Sequence, residues 1–322
     1  MRCRTLIVAA PPLAMNKVGA SVSTPRATPR KIANHTVLAK LGEGAASMLY
    51  AVQHPKTKQV WALKHVEKTD GKSQRFLDQV EQEAAIGMKL DHHAVRGIKK
   101  IVRHRKMFKA TAVSLIMELV DATTLDQQLP RNHGQAVEIF RQIAEGLAHM
   151  HGRGFVHADI KPNNVLITEE GDVKIIDLGQ ACPIGTIKKR IQGTPGYMAP
   201  EQAHRGEITP KTDIYNLGAM MYWVLVGECI PTALPPKKAR DGLFTGAVDA
   251  DKVELPIPPH EQNPRIHVLL SKQILDCVQP KPENRPDSMD VVVNRLELIR
   301  DVLEQPVAGP PPTNESGETI AD

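Results

Sequence analysis

The sequence predicts an α+β chain of two unequal lobes, a small antiparallel sheet with one main helix and then a larger, mostly helical part. Short β-rich runs dominate residues 36–117 and are interrupted once, at 74–90, by apolar residues at helical spacing. Beyond Asp121 the spacing is helical almost throughout. The composition suits such a chain: of 322 residues, 41% are hydrophobic and 24% charged, which excludes wholesale disorder. Aromatics are only 3%, so Leu, Ile, Val, Met and Ala must build the core.

In order, residues 36–66 read as strands turning at a glycine pair, and 74–90 as a helix with Phe76, Leu77, Val80, Ala84 and Met88 on one face. Strands follow near 98–102 and 112–117. Val137, Phe140, Ile143, Ala144, Leu147 and Met150 make the apolar face of a second helix, stopped by Gly152 and Gly154. Residues 165–167 and 173–176 form a small hairpin around Glu170-Gly171, and further helices are expected at 212–226, 265–278 and 288–303.

Net charge is +5, unevenly spread. Residues 1–33 hold six bases and no acid, and 304–322 hold four acids and no base. Both read as disordered tails, the first also having a transit-peptide composition. Because a tail sets the basic balance, it argues little for nucleic acid, and none is expected as a partner. No apolar run reaches 18 residues, so no transmembrane segment is expected. Four cysteines without CxxC spacing point to a reducing compartment, and we expect a cytoplasmic protein.

Several short stretches carry chemistry. In Leu41-Gly42-Glu43-Gly44-Ala45-Ala46-Ser47-Met48-Leu49, glycines allow the backbone to approach phosphates, although a plain hairpin turn also fits. Lys64 ends the apolar run Val60-Trp61-Ala62-Leu63 and has a possible partner in Glu83; alone it also reads as a snorkelling surface lysine. The decisive stretch is His157-Ala158-Asp159-Ile160-Lys161-Pro162-Asn163-Asn164, followed by Ile176-Asp177-Leu178-Gly179. Phosphoryl transfer needs a carboxylate to accept a hydroxyl proton, oxygen ligands for a divalent cation, and a cation for phosphate charge. Asp159, Asn164 with Asp177, and Lys161 supply these groups.

Together with Gly193-Thr194-Pro195-Gly196-Tyr197-Met198-Ala199-Pro200-Glu201, Asp213 and Arg285, these stretches resemble the protein kinase signature set over residues 34–303. Their tone is similar to the eukaryotic-like Ser/Thr protein kinases of bacteria. The resemblance implies a first lobe at 34–118, a hinge at 118–122 and a second lobe at 123–303. It implies ATP and Mg²⁺ or Mn²⁺ as cofactors, with Gly42 and Gly44 over the phosphates, Leu49, Ala62 and Leu166 around the adenine, and Leu41 and Ser47 also in the nucleotide site. Met117 would be the gatekeeper, with backbone from Glu118 to Val120 meeting the adenine edge. Lys64, paired with Glu83, would hold the α- and β-phosphates. Asp159 would be the base, Lys161 the γ-phosphate contact, and Asn164 and Asp177 the metal ligands. Glu201 would pair with Arg285, and Thr194 would support Asp159 and Lys161.

Four positions depart from the pattern. Ser47 replaces a glycine and Leu178 a phenylalanine. Gly87 stands where a bulky residue joins a stack with Ile98, Leu178 and His157, so a loosely held helix is expected, tightened by Gly87→Leu. Ala158 replaces an arginine, the non-RD pattern, which removes one phosphate-dependent switch. The expected function is a Ser/Thr protein kinase acting on protein substrates, with a regulatory partner protein. The alternatives are a nucleotide-binding pseudokinase scaffold and a small-molecule kinase. The basic run Lys99, Lys100, Arg103, His104, Arg105, Lys106 and Lys109 reads as a docking patch for an acidic partner or, more simply, as a solvated face.

Overall fold

The computed structural model describes residues 29–44, 46–68, 74–106, 109–233 and 252–305. The tails expected at 1–33 and 304–322 therefore lie largely outside the described residues. Where they are described, they differ from expectation. Strand β1 (Lys31–Ile32) pairs with β2 (His35–Glu43) and buries Ile32, so ordered structure begins before residue 34.

The sheet continues through β3 (Met48–Gln53), β4 (Val60–Glu67), β5 (Ile98–Lys106) and β6 (Lys109–Met117), all antiparallel, in the order β1-β2-β3-β4-β6-β5. Helix α1 (Gln74–Gly87) sets Leu77, Val80 and Ala84 against Ala62, Val66, Val113, Leu115 and Met117 on one sheet face. Ile32, Tyr50, Val52, Leu63 and Ile116 pack together in a second apolar cluster. β5 is longer than expected and lies at the sheet edge, which explains its basic run: charged side chains on an edge strand oppose pairing with another chain. Arg103 within it is already paired with Glu81.

After β7 (Thr123–Thr124), α2 (His133–Gly152) starts at Asn132, whose side chain accepts from the Gln135 N–H. It ends at Gly152, with Gly154 in the left-handed region. β8 (Phe155–Val156) leads into the loop that ends at β9 (Val165–Ile167), which pairs with β10 (Val173–Ile175) as expected. β11 (Cys182–Pro183) returns to pair with β8, and β12 (Thr186–Ile187) pairs with β13 (Glu207–Ile208) beyond the short helix α3 (Pro200–Ala203). α4 (Pro210–Val226) is buried on nearly every side and forms the centre of this lobe. The short α5 (Pro259–Gln262), α6 (Val268–Cys277) and α7 (Met289–Glu304) complete it. Cys182, Cys229 and Cys277 are unpaired, and no helix among the described residues is long and apolar enough to cross a membrane.

Gly87 overturns the expected gap. A Cβ there would overlap Ile98 Cδ1 and lie 2.8 Å from Ile98 Cγ1 and 3.2 Å from Leu178 Cδ1. Ile98 already fills the space, so glycine leaves no hole, and any added side chain would have to displace Ile98.

Candidate active site

The site is assembled where the sheet lobe meets the loop between β8 and β9. Leu41 and Gly42 lie on β2, and the following turn is closed by the Gly44 N–H donating to the Ser47 carbonyl at 2.7 Å. Leu49 on β3 stands opposite Lys64 on β4, and Ala62 stands opposite the fully buried Met117 on β6. Leu166, on β9, is half-buried. Glu118 begins the link to the second lobe: its N–H donates to Gly97 O at 2.8 Å. Its carboxylate accepts from the Gly97 N–H at 3.0 Å and pairs with Lys174 at 2.8 Å. Val120 follows on this link, half-buried.

Lys64 Nζ donates to Glu83 Oε2 at 2.7 Å and to Asp177 Oδ1 at 3.2 Å. Burial alone would lower the ammonium's pKa, but the two carboxylates outweigh it and raise it, so the charge persists. Asp177 shows the mirror case: its enclosure would raise the carboxyl, whereas Lys64, with His157 and Arg96, holds it below the usual carboxylate range. Its side chain stays 49% exposed, free to accept a further ligand.

Asp159 is the centre of a compact network. Thr194 Oγ1 donates to Asp159 Oδ1 at 2.7 Å and accepts from Lys161 Nζ at 2.7 Å. Lys161 also donates to Asp159 Oδ2 at 3.0 Å. Asn164 Nδ2 donates to the Asp159 carbonyl at 2.8 Å, so its amide nitrogen is committed and its oxygen is left for a cation. His157 Nδ1 accepts from the Asp159 N–H at 3.2 Å, while Nε2 faces Ile176 O.

Beneath the loop lies Asp213, wholly buried, accepting from the N–H groups of His157 at 2.9 Å and Ala158 at 2.8 Å and from His151 at 2.9 Å. Burial would raise this carboxyl; the His151 hydrogen bond and the nearby imidazoles outweigh it and hold it low. Ala158 and Asp177 both sit in the left-handed region, at φ 62° and 61°, a strain of about 1–3 kcal/mol each that the surrounding bonds must hold. Arg285 donates to Glu201 at 2.7 Å and 3.0 Å, with its side chain fully buried.

Three contributors are not evident from the motifs. Gln202, buried, donates to Ala158 O at 2.8 Å and accepts from the Ala199 N–H, fastening the strained loop to α3. Lys188 donates to Gln180 O at 2.6 Å. Arg96 is a further cation whose pKa burial lowers and the charges of Glu83, Asp177 and Glu118 partly restore. The only signal for Gln202 was its place directly after Ala199-Pro200-Glu201; the other two carried none.

Among the described residues no cluster of three or more His, Cys, Asp or Glu could hold a metal alone. One carboxylate and one amide oxygen instead suit a hard cation that takes its remaining ligands from phosphate and water.

Comparison with known proteins agrees with this arrangement. The family model described as the protein kinase domain matches residues 35–295. The serine/threonine-protein kinase PknB of Mycobacterium leprae is 32% identical over 205 residues, 61% of this chain and 31% of that protein. PknL of Mycobacterium tuberculosis is 31% identical over 205 residues, 60% of this chain and 49% of that protein. An Aurora kinase of Candida glabrata is 28% identical over 272 residues, 83% of this chain and 66% of that protein. The chain thus spans under half the length of both bacterial relatives. With the family match running through sheet, loop network and helical lobe alike, the chain belongs to the protein kinase domain family.

Proposed function

We propose that this chain is a Ser/Thr protein kinase that moves the γ-phosphate of ATP to a protein hydroxyl. The observation that carries the reading is the Asp159–Lys161–Thr194 network beside Lys64, Glu83 and Asp177, with every charged group of phosphoryl transfer present and paired. A pseudokinase scaffold would not need them all.

Asp159 receives the proton of the attacking hydroxyl. Lys161 and Thr194 hold its two oxygens, so the carboxylate meets the substrate in one orientation. Glu83 fixes Lys64, whose raised pKa keeps a full charge for the α- and β-phosphates. Asn164 and Asp177 would hold Mg²⁺ or Mn²⁺, which when bound supplies charge neutralisation on the phosphates. Leu49, Ala62 and Leu166 would enclose the adenine, Met117 would close its rear, and backbone from Glu118 to Val120 would bond its edge. Gly42 and Gly44 would lie over the phosphates, with Leu41 and Ser47 beside them in the nucleotide site. We assign the protein to the non-RD group, because Ala158 packs with Val156, Cys182 and Ile208 where a charged side chain would need a partner.

The test is transfer of labelled γ-phosphate from ATP to a generic protein substrate with Mg²⁺ or Mn²⁺, followed by phosphoamino-acid analysis. Label on Ser and Thr is expected. Nucleotide binding without transfer would favour the scaffold, and label confined to a small molecule would favour the small-molecule kinase.

A further inference from the structure

A groove of about 480 Å³ lies between the end of the segment leading to Thr194 and the helix after it, lined by Lys189, Arg190, Ile191, Ala203, His204 and Arg205. Lys189, Arg190 and Arg205 are all exposed, and none forms an ion pair with another described residue. The nearest acid on the same helix, Glu201, is taken by Arg285 and Thr212. Lys188, the first base of the run, turns inward to Gln180 O, so of the three only Lys189 and Arg190 are exposed. On β5, by contrast, Arg103 is paired with Glu81 and the remaining charge is that of an exposed sheet edge.

Position gives the groove its meaning. Ile191 is three residues before Thr194, whose hydroxyl bonds Asp159 at 2.7 Å; three residues of chain span at most roughly 10 Å. A substrate whose hydroxyl reaches Asp159 therefore has its neighbouring residues within reach of this groove and its cations. Gln202 bonds both Ala158 O and Gln192 O, tying the groove wall to the reacting loop. Unpaired cations beside a reaction centre select partners by charge complementarity, mainly through encounter and register.

Resting on the kinase reading above, we propose that Lys189, Arg190 and Arg205 form a substrate-recognition groove for acidic protein segments, reading Asp or Glu side chains close to the phosphorylated Ser or Thr.

The experiment compares peptides with one Ser or Thr acceptor flanked by Glu, by Ala or by Lys. The Glu peptide should exceed the Ala peptide in kcat/KM by tenfold or more, chiefly through KM, and the gap should shrink with added salt. In Lys189→Ala/Arg190→Ala/Arg205→Ala the ratio should approach one, and in the corresponding triple Glu variant the Lys peptide should become the best. These side chains are exposed, and a thermal melt for each variant confirms folding. Equal use of the three peptides, or a Glu preference that survives charge reversal, would overturn the proposal. Fluorescence anisotropy of labelled Glu peptide needs no transfer and separates the two readings. Charge-selective binding without transfer overturns the kinase reading alone, and transfer without charge selection overturns the groove alone.

Discussion

Lys64 and Asp177 touch one another yet do different work. Lys64 is a fixed charge locked to Glu83, whereas Asp177 is half exposed and is the proposed cation ligand. Both Lys64→Met and Asp177→Asn should cut transfer by about 10²-fold or more. Raising Mn²⁺ should partly restore Asp177→Asn, whose amide oxygen still binds weakly, and leave Lys64→Met unchanged. Equal rescue would contradict this division of labour. Asp213 gives a pH prediction. Its folded pKa lies below the unfolded value of about 3.9, so its stabilisation is complete above that value and is lost as pH falls through the folded one. Asp213→Asn should cost about 3 kcal/mol at neutral pH, and the gap to wild type should narrow only below about pH 4 in denaturant titrations. A gap that already closes between pH 8 and 6 would assign it to another group.

At the scale of elements, α1 is held by contact on both sides. Gln82 Nε2 donates to Ala181 O at 2.6 Å, and Gly87 admits Ile98 and Leu178 against the helix backbone. Gly87→Leu should therefore lower both melting temperature and kcat, the reverse of what a gap in the stack would give. Gly87→Ala combined with Ile98→Ala should be less destabilising than the sum of the single changes, because the second removes the overlap created by the first. Strict additivity would mean that the two positions are not in contact. The segment between Gly179 and Thr194 is fastened by β11 on β8, β12 on β13 and Lys188 on Gln180 O, none of which needs a phosphate. Thr186→Ala should thus keep most of the activity, and phosphatase treatment should change wild type little. A tenfold fall in both would show that phosphorylation orders this segment.

Across the whole molecule, the two lobes meet through backbone hydrogen bonds and an ion pair as well as through packing. Arg96 N–H donates to Ile175 O at 3.0 Å, Ile175 N–H to Ala94 O at 2.7 Å, and Lys174 pairs with Glu118. The lobes and most elements were legible in the sequence because apolar periodicity and capping residues act locally. Asp159, Asn164, Asp177 and Lys64 stood out as candidates because phosphoryl transfer demands particular groups in a fixed order. Gln202, Lys188 and Arg96 did not, since a glutamine, a lysine and an arginine acquire roles only from neighbours brought by folding. Gly87 misled for the same reason: only the structure shows Ile98 in its space. If the loop network around Asp159 performs phosphate transfer, single-turnover transfer by Asp159→Asn beside wild type will reveal it. A fall of about 10²–10⁴-fold is expected, with nucleotide affinity unchanged within a few-fold. Transfer at the wild-type rate by folded Asp159→Asn would contradict it.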